Sequence, residues 1–236
     1  MKKTALIVAV EMFAVFEKWG EPDKKYDGLP FKSCSYERYG DIIYVVRSGP
    51  GQSAARDAAA MAADEFGVTE LWNFGVVGSL NHELNIGDIC AVQETVRWDV
   101  PGKLNVFYQA DTSLCEDASF KCISLLDDEN AATQDDSQAL LKLFKVRCAS
   151  GDSVVAERAE RIAVAELTGA HIVDMEAAGI AEAAAERNLF LGMVKCISDD
   201  LNTDVSGLTD AFRPTALKAF DAFDRIYNQN ALKEKS

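Results

Sequence analysis

Residues 172–200, IVDMEAAGIAEAAAERNLFLGMVKCISDD, carry the reading of the fold. Positions 171–174 form a short apolar run of strand character. Glu176 then opens an alanine-rich stretch that reaches about Arg187, a composition that favours both helix and close packing. Residues 189–197 are an almost unbroken apolar run of strand length, as expected of a strand buried on both faces, and Ser198, Asp199 and Asp200 end it. The segment reads strand, helix, strand. In such units ligands bind in the crevice outside the carboxyl ends of the strands, so Met175, Glu176, Ser198 and Asp199 are expected to share one pocket. A glutamate at a helix start is also an ordinary cap, and an aspartate after a strand an ordinary turn residue, so these positions alone leave both readings open.

Outward from this unit the alternation continues. Strands are expected at 5–10, 42–47, 70–74, 89–96 and 145–149, and helices at 53–66, 137–143, 156–167 and 209–228. This pattern predicts a three-layer α/β/α fold around a central mixed, largely parallel twisted sheet. No Pro/Gly/Ser-rich linker divides the chain, so residues 1–236 are read as a single domain. Residues 109–138 are rich in Asp, Glu, Ser and Asn around the apolar centre FKCISLL, and read as a helix between poorly ordered acidic flanks.

Composition narrows the function. The formal charge of −14 repels nucleic-acid backbones and anionic membranes at long range, which argues against both as partners. The opening MKKTALIVAVEMFAVF is interrupted by Glu11 and lacks a small-residue cleavage site, so it reads as a first core strand and not as a secretion signal. No run approaches the roughly 18 apolar residues that cross a bilayer, and a cytoplasmic protein is expected. Six cysteines show no CxxC pairing and read as buried thiols. With two histidines, His82 and His171, and no zinc-type cysteine spacing, no metal site is expected.

Two glycine-containing loops follow strands. In Ser48-Gly49-Pro50-Gly51-Gln52-Ser53 the free N–H groups at a helix start can hold an anion or a polar substrate edge, or the loop can be a plain turn. It lacks the lysine ending of a Walker loop. Arg47 just before it is a candidate charge for that pocket, with a sheet-edge arginine as the alternative. In Asn73-Phe74-Gly75-Val76-Val77-Gly78-Ser79-Leu80 the glycines permit close approach to the backbone. His82 and Asp88 read as loop and turn residues. The pair Arg97-Trp98 offers an aromatic surface and a cation to a ligand or a subunit contact, with a packing tryptophan as the preferred reading.

The wording of these segments adds a resemblance. VDMEAAGIAEAA followed by MVKCISDD closely resembles the nucleoside phosphorylases and nucleosidases, a family that includes purine nucleoside phosphorylase, uridine phosphorylase and methylthioadenosine/S-adenosylhomocysteine nucleosidase. The likeness extends to the first strand, to SGPGQSAA, to FGVVGSL through LNIGDI, and to SGD at 150–152. It implies that Glu176 grips the ribose hydroxyls, that Met175 packs under the sugar, and that Asp199, oriented by Ser198, handles the base. A carboxylic acid that protonates a purine at N7 makes the leaving group neutral, and a carboxylate on the ribose hydroxyls sets negative charge near the developing cation. Val154 and Val155 match positions that contact base or sugar, and Val76 stands where the family uses a serine.

The chain departs from the pattern at the attacking group. Where nucleosidases carry a water-positioning glutamate it has Phe13 or Ala14, with Glu11 slightly earlier, and where phosphorylases carry a phosphate arginine it has Asn73. Glu11 is the remaining candidate for water and Arg47 for phosphate. Lys195 stands in place of a nucleosidase arginine, without its planar fork. Three functions follow in order: hydrolysis of a purine or 5′-substituted purine nucleoside in the manner of the methylthioadenosine/S-adenosylhomocysteine nucleosidases, phosphate-dependent cleavage of the same bond, and nucleoside binding without turnover. The resemblance implies water or phosphate as co-substrate, no cofactor, and a homo-oligomer, either dimer or hexamer.

Overall fold

The computed structural model describes residues 1–104, 106–112, 120–126, 141–203 and 205–233. Its centre is four parallel strands in the order β4 (Asp41–Arg47), β1 (Lys3–Val8), β5 (Glu70–Ser79) and β11 (Phe190–Asp199). On one side the sheet ends in antiparallel β3 (Lys32–Arg38) and β2 (Lys24–Tyr26). On the other, β6 (Ile89–Arg97) runs antiparallel to β11, β9 (Leu141–Ser150) is parallel to β6, and β10 (Ile172–Asp174) is parallel to β9. The first residues of β10 also pair antiparallel with the last residues of β5, Ile172 with Ser79 and Val173 with Gly78. Five strands, β5, β11, β6, β9 and β10, thus close into a ring. β7 (Phe107–Gln109) and β8 (Phe120–Ser124) attach to β6 and β9.

The two faces follow from the period-two alternation of the strands. In β5, Leu71 and Val77 point into one apolar cluster with α2 (Gln52–Phe66) and α4 (Ala177–Arg187). Trp72 and Phe74 point into the other, against α1 (Met12–Trp19) and α5 (Val205–Lys233). The alanines read as helix formers also let α2 and α4 pack closely: Ala55, Ala58, Ala59 and Ala62 on one, Ala177, Ala178, Ala181 and Ala184 on the other, are buried. At Gly179 the approach is tighter still. A Cβ there would lie 2.2 Å from the carbonyl oxygen of Gln52, so only glycine lets the two helix starts meet.

The sheet is mixed, as expected, with helices on both faces. The expectation of a largely parallel sheet needs correction, because five of the eleven strand pairings between described residues are antiparallel. Two of the five pairings within the ring, β11–β6 and β10–β5, run that way. The core FKCIS is a strand and not a helix. Its short apolar run completes the edge of β9, and 141–143, expected to end a helix, begin β9 itself. Residues 137–140 and most of the acidic flanks lie outside the described residues. The opening apolar run splits at Glu11, after which MFAVFEKW is helical. Among the described residues no helix is long and apolar enough to cross a membrane.

Candidate active site

The strand ends Val76–Gly78 of β5, Asp174 of β10 and Ser198–Asp199 of β11 reach one rim of the ring. There they line a cleft of about 290 Å³ together with Glu11, Met175, Glu176, Val154, Val155, Arg161 and Phe212. Of the residues singled out in the sequence, Asp199, Glu11, Met175, Glu176, Ser198, Val76, Val154 and Val155 are thereby brought together. Arg47 is not: it is exposed and does not line the cleft wall. Its position in β4 opposite Lys32 is that of an ordinary strand-end arginine.

Glu176 is held at the α4 N-terminus by a network that the sequence reading did not anticipate. Asp174 Oδ1 accepts from the Glu176 N–H at 3.3 Å and the Ala177 N–H at 3.1 Å, so Asp174 caps the helix. Ser150 Oγ donates to Asp174 Oδ1 at 2.6 Å and accepts from the Ala178 N–H at 3.0 Å, tying β9 to the same helix turn. Lys195 Nζ donates to Asp174 Oδ2 at 2.8 Å, and both side chains are buried. Burial pushes the Asp174 carboxyl up, but Lys195, Ser150 and the helix N–H groups more than offset this and hold it below the usual range. Burial likewise works against the Lys195 ammonium, and Asp174 keeps it charged.

Glu176 Oε1 in turn accepts from the Gly51 N–H at 3.1 Å. Burial and the neighbouring Asp174 push its carboxyl up to about 7. The adjacent Gln52 N–H donates to Asp152 Oδ1 at 2.8 Å. The amino end of α2, which the glycine loop might have offered to an outside anion, is therefore already occupied by two carboxylates of the protein. Gly51 adopts φ +103°, a left-handed conformation that suits glycine and turns its N–H toward Glu176.

Glu11 is buried at the other wall, where Oε2 accepts from the Val10 N–H at 2.9 Å. It lies against Gly75: a Cβ at that position would come within 3.0 Å of Glu11 Oε1 and 3.6 Å of Lys195 Nζ. The glycine makes room for both. Phe13 and Ala14 sit in α1 and do not line the cleft. Asn73 is buried and donates to the Ile7 carbonyl, a structural role.

Asp199 is fixed from two sides. Ser198 Oγ donates to Oδ1 at 2.7 Å, and the buried Arg161 of α3 (Arg158–Thr168) donates through Nη2 to Oδ2. A Cβ on Gly78 would lie 2.9 Å from Asp199 Oδ2, so this glycine leaves space for the pair. Arg161 was missed in the sequence. The signal was there, since Arg161, Val164 and Thr168 share the buried stripe of α3, and an arginine in such a stripe requires partners. Four carboxylates, Glu11, Asp174, Glu176 and Asp199, thus face the cleft, while Val154, Val155, Val173, Met175 and Phe212 supply apolar walls. Such a site can grip hydroxyls, hold a flat apolar-faced group and exchange protons.

A family model described as the phosphorylase superfamily matches residues 20–233. The 5′-methylthioadenosine/S-adenosylhomocysteine nucleosidase of Treponema pallidum (strain Nichols) is 27% identical over 212 residues, 78% of each chain. The enzyme of that name from Bacillus licheniformis is 25% identical over 203 residues, 80% of each chain. Among solved structures, the Helicobacter pylori 5′-methylthioadenosine/S-adenosyl homocysteine nucleosidase superimposes with a TM-score of 0.82 at 17% identity, covering 97% of this chain and 98% of that one. Futalosine hydrolase of the same organism gives 0.79 at 18% identity, covering 100% and 98%.

Proposed function

The chain belongs to the phosphorylase superfamily, and from that premise we propose that it hydrolyses the N-glycosidic bond of a purine or 5′-substituted purine nucleoside and releases the base. Relatives named as nucleosidases and a hydrolase support cleavage of this bond. The choice of water over phosphate rests on one observation: the donors that could hold an anion are spent. Gly51 and Gln52 give their N–H groups to Glu176 and Asp152. Among the described cleft residues the one lining cation is Arg161, which is bound to Asp199. Behind the wall, Lys195 is bound to Asp174. A phosphate would meet four carboxylates and no free cation.

In this reading the base lies against Asp199 and the ribose against Glu176 and Met175, with Val154 and Val155 along the substrate. The C1′–N9 bond breaks, its electron pair goes to the base, and a proton that Asp199 takes up from solvent passes to N7. Ser198 orients that carboxyl. The Glu176 carboxylate accepts from the ribose hydroxyls near the developing positive charge. Glu11 takes the proton from the water whose oxygen bonds to C1′. Base release measured in phosphate-free buffer tests the reading. Turnover that is unchanged by added phosphate and yields free ribose supports it, whereas strict dependence on phosphate with a ribose 1-phosphate product overturns it.

The raised Glu176 carboxyl gives a pH prediction. In the empty cleft it takes up a proton as pH falls through about 7, yet ribose hydroxyls hydrogen-bond best to the carboxylate. Ligand affinity should therefore rise with pH across this range, and binding at pH 7 should release roughly half a proton. Calorimetric titration in buffers of different ionisation heat measures that release. Glu176→Gln should abolish it, and a parent protein that releases none would contradict the assignment. The stability sign is opposite. An unfolded glutamate loses its proton near 4.5 and the folded one near 7, so the empty protein loses stability as pH rises through that window.

A further inference from the structure

We propose that Arg161 selects the base, favouring a purine with an oxo group at C6 over one with an amino group. The inference rests on the reading of the cleft as a purine nucleoside site with the base against Asp199. Arg161 is 2% exposed and lines the Asp199 end of the cleft. Four of its five N–H groups are committed. Nε donates to the Val155 carbonyl at 3.1 Å, Nη1 to the carbonyls of Ser79 at 3.2 Å and Asp200 at 3.1 Å, and Nη2 to Asp199 Oδ2. The second N–H of Nη2 has no partner among the described residues.

The geometry of a purine gives this spare donor a meaning. N7 and the C6 substituent lie on the same edge of the ring, with C5 between them. In the proposed pose Asp199 reaches N7 through Oδ1, which sets Oδ2, and with it Nη2, toward the substituent. An oxo group only accepts hydrogen bonds, and an amino group on a purine only donates. The oxo group gains a charge-assisted bond from the guanidinium. The amino group brings donors against a donor, and the acceptors that hold the guanidinium, the Val155 carbonyl and Asp199 Oδ2, already carry bonds from Arg161. A site that leaves buried donors opposed discriminates strongly, because each loses its bond to water without a replacement.

The test compares substrates on the unmodified protein, in pairs that share the 5′ group: inosine with adenosine, and 5′-methylthioinosine with 5′-methylthioadenosine. kcat/KM for the oxo member should exceed that for the amino member by at least about 100-fold. An amino member turned over as well as its partner overturns the selection and leaves hydrolysis standing. Base release from none of the four overturns the nucleosidase reading itself. Arg161→Gln should lower the oxo-to-amino ratio at least tenfold. A purely structural role for Arg161 would slow both members alike, and a variant that keeps the parent ratio counts against the proposal. Should the variant fail to fold, equilibrium binding of hypoxanthine and adenine to the parent decides between the same outcomes, with the tighter base expected to be hypoxanthine.

Discussion

Asp199→Asn is expected to slow base release by about 10²–10⁴-fold while the protein stays folded. The amide keeps the shape of the carboxyl and can still accept from Ser198 Oγ, but it carries no proton to give to the leaving base. It also removes the charge that Arg161 faces, so a moderate loss of stability accompanies the kinetic one. The two effects separate experimentally. Single-turnover base release, measured well below the melting temperature of the variant, reports the chemical step. A rate within tenfold of the parent would remove Asp199 as the acid and direct attention to another group on the base.

Lys195→Met should have the largest effect on stability, a loss of about 3–5 kcal/mol at neutral pH. Methionine fills the space, but Asp174 would remain buried without its cation, and its hydrogen bonds from Ser150 and the α4 N–H groups do not neutralise the charge. The cost should shrink as pH falls, since an orphaned carboxyl can escape by taking a proton. Lys195→Arg, which can keep the ion pair, should lose far less. Urea unfolding of the three proteins at pH 7 and pH 5 measures this. A loss below about 1 kcal/mol in Lys195→Met at pH 7 would mean that Asp174 is satisfied by the helix end alone.

Much of the architecture was legible because it is local. The alanine pattern of 177–187, the apolar run of β11 and the strand-to-helix passage at Gly51 each carry their signal within a dozen residues. What was illegible depended on partners far along the chain. FKCIS is apolar enough for either helix or strand, and the open edge of β9 decided for strand. MFAVFEKW continues an apolar run in which strand and helix have the same composition, and the break at Glu11 became readable only as a turn. The site divides in the same way. Glu176 and Asp199 stood out by their place at element ends. Asp174, two residues earlier, looked like a strand residue until Lys195 and Ser150 met it. Arg47 carried the right charge but lay outside the cleft wall.

The five-strand ring also governs the order in which the protein can become competent. Gly78 and Asp199 become neighbours only when β5 and β11 pair across more than a hundred intervening residues, and Asp174 joins them when β10 closes onto the end of β5 across more than ninety. Closing so long a stretch of chain is entropically costly and kinetically slow compared with pairing near neighbours. A chain can therefore form its helices, with the local Asp174 cap at the start of α4, before the cleft exists. The carboxylates are distributed through the sequence, yet the cleft they form exists only after β5 has met both β11 and β10, two contacts between distant parts of the chain.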